Sequence, residues 1–236
     1  MTAETGPRVY EQPALRNLAG GTIRPGGLAL TDQALALCAL PPGARVLDVG
    51  CGAGATVAHL TARHRLAAFG LDVSRSLLQQ GRQADGALPV LQAAGERLPI
   101  RDSALDGVLA ECSLSAMDDG DRALDEFCRV LKAGGHLIVT DVYAREAQGC
   151  PLPAGTCVSG ARPQGEILKQ IGAHDFDVIL WQDQSAALKE LAVQLIFTYG
   201  SLPVFWQHAG ATREVGTATA RARLGYFLLI ARKGKG

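Results

Sequence analysis

The stretch "VLDVGCGAGA", residues 46–55, decides the fold, because a short apolar run ends abruptly in glycines. The apolar half is typical of a buried strand, and the glycines permit the tight turn by which such a strand enters a helix. Gly50, Gly52 and Ala55 also fit the G-x-G-x-x-A pattern of dinucleotide-binding loops. The stretch therefore predicts a cofactor-binding turn and leaves the cofactor open.

The composition indicates a globular enzyme-sized chain without strong electrostatic bias. Of its 236 residues, 47% are hydrophobic and 19% are charged, which is sufficient for a substantial core. The 23 Lys and Arg residues balance 23 Asp and Glu residues, so nothing draws the chain toward nucleic acid or an anionic membrane. We expect neither as a partner.

The termini and the cysteines favour a cytoplasmic location. The N-terminal residues lack the charged start and apolar core of a secretory signal, and no apolar run is long enough to cross a membrane. The six cysteines lack C-x-x-C spacing, so we expect reduced thiols and no metal site. These cysteines are Cys38, Cys51, Cys112, Cys128, Cys150 and Cys157.

From residue 45 onward, apolar runs of strand length alternate with helical patterns. The predicted strands are "RVLDVG", "AAFGLDV", "LPVLQAA", "DGVLAEC" and "GHLIVTDVY". Helices are predicted over "GATVAHLTARH", "RSLLQQGRQA", capped by Ser74, and "GDRALDEFCRVLK", which stops at Gly134. This alternation predicts an α/β fold with a doubly wound, mostly parallel sheet.

The flanking regions are expected to belong to the same domain. Residues 1–40 form an N-terminal helical cap that includes "LTDQALALCAL", with Thr31 or Asp32 as its N-cap. Residues 44–143 form the cofactor-binding core, and residues 144–236 a substrate lid with the last strands. In that last part we expect a Pro- and Gly-rich loop, the helix "QGEILKQIGA", the strand "FDVILWQD", a long helix capped by Ser185, and the buried strand "GYFLLIARK".

Two carboxylates bear on the choice of cofactor. Asp48 lies two residues before the first glycine, where a pyrophosphate would meet it with like charge. S-adenosylmethionine brings an ammonium and a sulfonium to the same place, and Asp48 attracts both. Asp72, about twenty residues beyond the glycines, is placed to accept the ribose hydroxyls, or else to cap the following helix. Asp48 therefore favours the sulfonium cofactor over a nicotinamide.

Four segments in order resemble the class I (Rossmann-like) S-adenosylmethionine-dependent methyltransferases, in particular the small-molecule "type 11" group. "VLDVGCGAGA" resembles the glycine motif of that family and "GLDVS" its acidic second-strand motif. "AAGERLPI" is similar to the segment that walls the adenine, and "DGVLAECSLSAM" with "RVLKAGGHLIVTD" to the fourth and fifth strands. The resemblance implies a seven-stranded sheet, S-adenosyl-L-methionine as cofactor and S-adenosyl-L-homocysteine as product.

The resemblance also implies which residues hold the cofactor. They are Asp48, Gly50, Cys51, Gly52, Gly54, Asp72, Val73, Ala94, Gly95, Glu96, Glu111 and Cys112. The family often has Asp where Ala94 stands, hydrogen-bonded to the adenine amine. Adenine recognition here is expected to use backbone groups near Gly95, together with Glu96.

The acceptor side of the reaction is less defined by the sequence. Methyl transfer needs alignment of the acceptor with the methyl group, and a base only where the acceptor arrives protonated. Glu111 is the candidate catalytic base or substrate anchor, with packing at a strand end as the alternative. Asp141 favours a structural role. Candidate substrate contacts are Arg24, Cys112, Tyr143 and Cys157.

Two further hypotheses concern the substrate pocket. Thiolates of Cys112, Cys150 and Cys157 would suit a metalloid acceptor, although buried free cysteines are common. A set of aromatic residues walls an apolar pocket or packs the core, namely Trp181, Phe197, Tyr199, Phe205 and Trp206. The expected protein is a monomer or homodimer that methylates a small molecule. The alternatives are a catalytically weak cofactor-binding partner subunit, a metalloid or thiol methyltransferase, and a nicotinamide oxidoreductase.

Overall fold

Seven strands form one sheet in the part of the protein that the structure describes. A computed structural model describes Thr22 and residues 24–145, 157–208 and 223–234, without the side chains of Cys157, Ser159 and His208. The strands are β1 (Arg45–Val49), β2 (Ala67–Asp72), β3 (Val90–Gln92), β4 (Leu105–Glu111), β5 (Leu131–Ala144), β6 (Phe176–Asp183) and β7 (Leu224–Lys233). The described helices are α1 (Gly27–Cys38), α2 (Ala55–His64), α3 (Arg75–Ala84), α4 (Gly120–Val130), α5 (Gln164–Ala173), α6 (Ser185–Tyr199) and α7 (Leu202–His208).

The strand order confirms the predicted doubly wound sheet. It runs β3-β2-β1-β4-β5-β7-β6, and all neighbouring pairs are parallel except those of β7, which is antiparallel to both β5 and β6. The chain moves from β1 outward to β3 and then crosses to β4, so strand order reverses between β1 and β4. Ligands of open α/β sheets bind at the carboxyl ends of the strands beside such a reversal. The glycine stretch follows β1 directly at this point.

Helices cover both faces of the sheet. Helices α1, α2 and α3 pack on one face, burying residues such as Leu35, Leu60 and Leu78. Helices α4 and α5 pack on the other, where Phe127 and Ile171 are fully buried. Since side chains alternate between faces along a strand, each strand residue can be assigned to one helix layer. This alternation sets the direction of the site carboxylates described below.

The helix boundaries correct two predictions and confirm a third. Helix α1 begins at Gly27 with Gly26 as N-cap, so Thr31 and Asp32 lie inside the helix and cap nothing. Helix α6 has Gln184 as its N-cap, and the Ser185 hydroxyl instead accepts a hydrogen bond from the Tyr226 backbone amide at 3.1 Å. Ser74 does cap α3, because its side chain accepts from the Leu77 amide at 3.2 Å.

The last third of the chain completes the sheet. The predicted strand "FDVILWQD" is β6, and "GYFLLIARK" falls within β7, which is buried along most of its length. The predicted loop after β5 lies largely outside the described residues, apart from a 3₁₀ turn at Cys157–Gly160. Within the described ranges, no helix has the length and apolar character that a membrane crossing requires.

Candidate active site

The glycine turn after β1 is held in backbone conformations that favour glycine. Gly50, Gly52 and Gly54 have φ angles of 79°, 55° and 80°. A Cβ at Gly50 would lie 2.5 Å from the Ser113 Cβ, and one at Gly54 would lie 2.4 Å from the Leu88 Cδ2. At Gly52 the nearest such atom is the Leu77 Cδ1 at 4.0 Å. Packing against Ser113 thus requires glycine at Gly50, whereas the space beside Gly52 is open among the described residues.

Asp72 at the end of β2 fixes this turn. Its Oδ2 accepts a hydrogen bond from the Gly52 amide at 2.8 Å, and its Oδ1 accepts one from the Ser74 amide at 2.7 Å. Asp72 is therefore not the N-cap of α3, which is Ser74, although it accepts a hydrogen bond from the amide of that N-cap residue. A carboxylate oxygen has two lone pairs and can accept more than one hydrogen bond. Asp72 can therefore accept these amides and ribose hydroxyls together, and ribose recognition by Asp72 stays a prediction.

Asp48 on β1 is a buried carboxylate that faces helices α1 and α2. It has the same orientation as Val46, which packs in the core of that face, and only 3% of its surface is exposed. Burial raises the pKa of Asp48, and the nearby charge of Glu111 raises it further, whereas Arg24 opposes the shift. A cationic ligand at this site would stabilise the ionised carboxylate, so the residues present fit the ammonium and sulfonium of S-adenosylmethionine.

Glu111 at the end of β4 forms a buried ion pair with Arg24. The Arg24 Nη2 lies 2.8 Å from the Glu111 Oε2, with side-chain exposures of 10% and 2%. The hydroxyls of Thr31 and Thr56 donate to the Glu111 oxygens at 2.8 and 3.2 Å. Both carboxylate oxygens of Glu111 are thus engaged, and its predicted role as a base stays a prediction.

Arg24 itself connects the segment before α1 to helix α2. Its guanidinium donates to the Thr56 Oγ1 at 3.0 Å and to the Thr31 Oγ1 at 2.6 Å. Its buried Nε finds no hydrogen-bond partner among the residues that the structure describes. Arg24 is therefore a largely buried side chain and not a solvated one, and substrate recognition by Arg24 stays a prediction.

The segment predicted to wall the adenine packs against the chain that follows β4. A Cβ at Gly95 would lie 3.0 Å from the Met117 side chain, so this position is closely packed. Glu96 Oε1 accepts a hydrogen bond from the Asp118 amide at 3.1 Å. Val73 is 39% exposed, as suits a residue at the edge of a binding cleft. The structure brings these predicted cofactor residues to the same edge of the sheet.

Comparison with known proteins shows the family to which the chain belongs. A family pattern described as "Methyltransferase domain" matches residues 47–139. The chain is 33% identical over 118 residues to an "O-methyltransferase" of Pyrenophora dematioidea, covering 48% of this chain and 43% of that protein. The crystal structure of "the [4+2]-Cyclase SpnF" matches with a TM-score of 0.69 and 31% identity, covering 88% of this chain and 81% of that chain. The chain belongs to the class I S-adenosylmethionine-dependent methyltransferases.

A further relative of this methyltransferase family has a different printed activity. It is the "S-adenosyl-L-methionine-dependent Diels-Alderase iccD" of Talaromyces variabilis, 30% identical over 124 residues, covering 49% of this chain and 42% of that protein. The chain therefore covers less than half of the length of either curated relative. Membership of the family confirms the predicted cofactor, S-adenosylmethionine, and sets the nicotinamide alternative aside.

Three residues on or next to the strands of this chain have structural contacts. Burial raises the pKa of the Cys51 thiol, and the carboxylates of Asp48 and Asp72 raise it further, so Cys51 is a packing residue in its neutral form. Cys112 has a φ of 57° and its amide donates to the Thr140 carbonyl at 2.6 Å. Asp141 accepts from the Ser115 amide and hydroxyl at 2.9 and 2.6 Å, which supports the structural role expected for it.

The structure does not bring the predicted substrate residues together. Tyr143 packs in the core on the α4 and α5 face, and its hydroxyl donates to the Asp183 Oδ2 at 2.8 Å. Arg24 lies on the opposite face, against Glu111. Cys150 and the side chain of Cys157 lie outside the described residues, so the three-thiolate hypothesis stays a prediction.

The aromatic set divides between core and surface. Trp181 stacks on Phe227, with ring centroids 4.2 Å apart, in the main core. Phe205 and Trp206 are buried in a separate cluster with Tyr199, whereas Phe197 is 87% exposed on α6. Core packing therefore accounts for Trp181, and no single pocket collects the five residues.

A cavity of about 360 Å³ opens beside the segment after β4. Its wall combines apolar and charged groups, among them Met117, Asp119, Asp121, Arg162 and Gln170. None of the residues predicted to contact cofactor or substrate lines it. Thr31 and Thr56 were not predicted as site residues, because an isolated hydroxyl residue gives no signal until the fold places it beside a charge.

Proposed function

We propose that this protein transfers the methyl group of S-adenosylmethionine to a small organic acceptor. The observation that carries the proposal is the buried Asp48 carboxylate, four residues before Gly52 in the chain and at the strand-order reversal. A carboxylate in that position attracts a cationic cofactor and repels a pyrophosphate. The bound cofactor supplies a methyl group already activated by a positively charged sulfur.

The protein's own part in such a reaction is placement and exclusion of water. Asp72 holds the Gly52 amide, and the Arg24–Glu111 pair fastens helices α1 and α2 over the end of β4. Ser113, whose hydroxyl donates to the Val49 carbonyl at 2.7 Å, ties the end of β4 to the end of β1. These contacts connect the ends of β1, β2 and β4 at the edge of the sheet where we propose that acceptor and methyl group meet.

A hydroxyl group is the acceptor that we propose to test first. The Pyrenophora dematioidea relative is an O-methyltransferase by its printed name, and it is 33% identical to this chain over 118 residues. The neutral overall charge of the chain favours a small molecule over a nucleic acid. The protein is proposed to act as a monomer or homodimer.

A second candidate function is a [4+2] cyclisation. The 31% identity with the [4+2]-cyclase SpnF extends over 88% of this chain, far more than the O-methyltransferase match covers. A cyclisation of this kind consumes no methyl group. The two functions are therefore separable by whether S-adenosylhomocysteine accumulates when substrate is consumed.

Calorimetric titration is the first experiment. S-adenosylmethionine and S-adenosylhomocysteine are expected to bind and NAD is not, and Asp72→Ala is expected to weaken both interactions at least about tenfold. Asp177→Asn, an exposed carboxylate on β6, serves as the control and is expected to bind normally. Binding of NAD alone would overturn the proposal.

The acceptor is then sought with S-adenosylmethionine labelled in its methyl group. A panel of small phenols, polyketide alcohols and amines is incubated with the protein, and label in the organic product is measured. Label transfer supports methylation. Substrate consumption without label transfer or S-adenosylhomocysteine supports cyclisation, and cofactor binding without either reaction supports the partner-subunit alternative.

A further inference from the structure

Asp32, His59 and His64 form a cluster where helices α1 and α2 meet. The Asp32 Oδ1 lies 2.6 Å from the Nε2 of His59 and 2.6 Å from the Nε2 of His64. The three ligand atoms all lie within 4.8 Å of one another. This convergence joins residues that are 27 and 32 positions apart in the chain.

We propose that Asp32, His59 and His64 form a binding site for a divalent transition-metal ion, with zinc as its probe. Two imidazole nitrogens and one carboxylate oxygen are donors that suit zinc, cobalt and nickel better than magnesium or calcium. The site is separate from the proposed cofactor cleft and does not depend on the proposed function. The expectation of no metal rested on the cysteine spacing, which says nothing about histidines.

The geometry leaves room for an ion after a small adjustment. Bonds of about 2.0–2.1 Å place the ligand atoms of a tetrahedral ion about 3.3 Å apart, so each 2.6 Å contact must open by about 0.7 Å. The two rings are edge-to-face, with centroids 5.4 Å apart and planes at 64°. Both histidines are on one helix and Asp32 is on another, so a small shift between the helices supplies this opening.

Exposure and neighbouring charge are compatible with such a site. The side chains are 16%, 26% and 35% exposed for His59, His64 and Asp32, which leaves a fourth position accessible to water. Arg63 is the nearby cation, with its Nε 3.8 Å from the Asp32 Oδ2. Because this side chain is 72% exposed, it can turn toward solvent when an ion binds.

An ion here would fasten the two helices that hold Glu111. Thr31 precedes Asp32 on α1, and Thr56 lies three residues before His59 on α2; both hydroxyls donate to Glu111. Binding to the folded state alone raises its stability by linkage. A bound ion is thus expected to raise the unfolding temperature and to hold α1 against α2 beside the cofactor cleft.

The test is a zinc titration of the untagged protein by calorimetry, repeated with His59→Gln and His64→Gln. His174→Gln is the matched control, because the His174 ring also contacts two carboxylates, Asp125 at 2.7 Å and Asp121 at 3.2 Å, without a second histidine. Wild type and His174→Gln are expected to bind one equivalent of zinc. Each of the other variants is expected to bind at least about tenfold more weakly.

Cobalt provides a second readout. The visible absorption of cobalt bound by the wild-type protein is expected to have the intensity of a four-coordinate site and to be lost in His64→Gln. Circular dichroism confirms that each variant is folded, and Asp32→Asn replaces any variant that is not. Equal zinc binding by wild type and both histidine variants, or no binding with zinc in large excess, would overturn the proposal.

Discussion

Arg24 and Glu111, 87 positions apart in the chain, form an ion pair of 2.8 Å that is almost completely shielded from solvent. The pair joins the segment before α1 to the carboxyl end of β4. Asp48 lies close enough for both charges to act on its pKa. Among the described residues, the charge of Arg24 therefore lowers the pKa of Asp48 while the charge of Glu111 raises it.

Removal of Arg24 is expected to destabilise the folded protein strongly. Arg24→Met leaves the Glu111 carboxylate buried without its cation, and breaking such a pair costs about 3–5 kcal/mol. The measurement is the free energy of unfolding in urea. The double variant Arg24→Met/Glu111→Gln removes both charges and is expected to lose less than the two single variants added together. Additive losses would mean that the two side chains are not coupled.

Substitution of Gly52 is expected to affect cofactor binding more than stability. The Cβ in Gly52→Ala meets no nearby protein atom closer than 4.0 Å but projects into the space assigned to the cofactor. The φ of 55° costs about 1–2 kcal/mol of stability, whereas the affinity for S-adenosylmethionine is expected to fall at least about tenfold.

Gly43 offers a matched control for Gly52. It has a φ of 79°, a Cβ at this position would meet nothing within 4 Å, and it precedes β1 at the opposite edge of the sheet. Gly43→Ala is expected to lose similar stability and to bind the cofactor normally. Equal affinities for the Gly52→Ala and Gly43→Ala proteins would show that the cofactor does not approach Gly52.

The affinity for S-adenosylmethionine is expected to rise between pH 6 and about pH 7.5, just below the usual pKa of an α-amino group. Burial raises the pKa of Asp48, so part of the free protein carries this carboxyl group in its neutral form. A cationic cofactor favours the ionised form, and binding at lower pH must first expel the proton. Calorimetry across this range measures the effect. Asp48→Asn is expected to bind weakly and without this pH dependence, while Asp177→Asn keeps it.

Asp141 is expected to make stability fall as the pH rises from about 4 to about 6. Burial raises its pKa to about 6, above the value of 3.8 in an unfolded chain. Between these values the folded protein holds a proton that the unfolded chain has released, so the free energy of unfolding decreases by up to about 3 kcal/mol. Below pH 4 both states are protonated and the loss disappears.

The variant Asp141→Asn isolates this contribution. Its amide oxygen can still accept from Ser115, but it does not titrate. The difference in unfolding free energy between wild type and variant is therefore expected to change across pH 4–6, as measured by urea denaturation at several pH values. A difference that is constant with pH would contradict the raised pKa.

The sequence was sufficient for the fold because apolar periodicity and glycine turns are local signals. The strands around Asp48 and Asp72 and the helix capped by Ser74 follow from such signals. The helix N-caps predicted at Thr31 and Ser185 are wrong, because both hydroxyls have partners far away in the chain. The Thr31 hydroxyl donates to Glu111, and the Ser185 hydroxyl accepts from the Tyr226 amide. A local pattern cannot show that a side chain is used elsewhere.

The candidate site was predictable only where a charge has a fixed place in the strand–turn–helix unit. Asp48 stands two residues before the first glycine of the turn, so its predicted attraction for a cationic cofactor could be argued from the chemistry of the cofactor alone. Arg24 and Tyr143 were both offered as substrate contacts, yet they lie on opposite faces of the sheet. Their positions depend on packing between distant elements, which no local pattern specifies.

The position of β7 has a consequence for how the chain acquires its structure. Among the described strands, β6 pairs with β7 alone and β7 also pairs along β5, so β7 is inserted between two strands made earlier. Until the ribosome has released β7, one edge of β5 and the whole of β6 lack a neighbour. The first strands can assemble during translation, whereas closure of this edge must wait, and exposed strand edges are prone to aggregation in that interval. Newly made chains are therefore most vulnerable just before synthesis of β7 is complete.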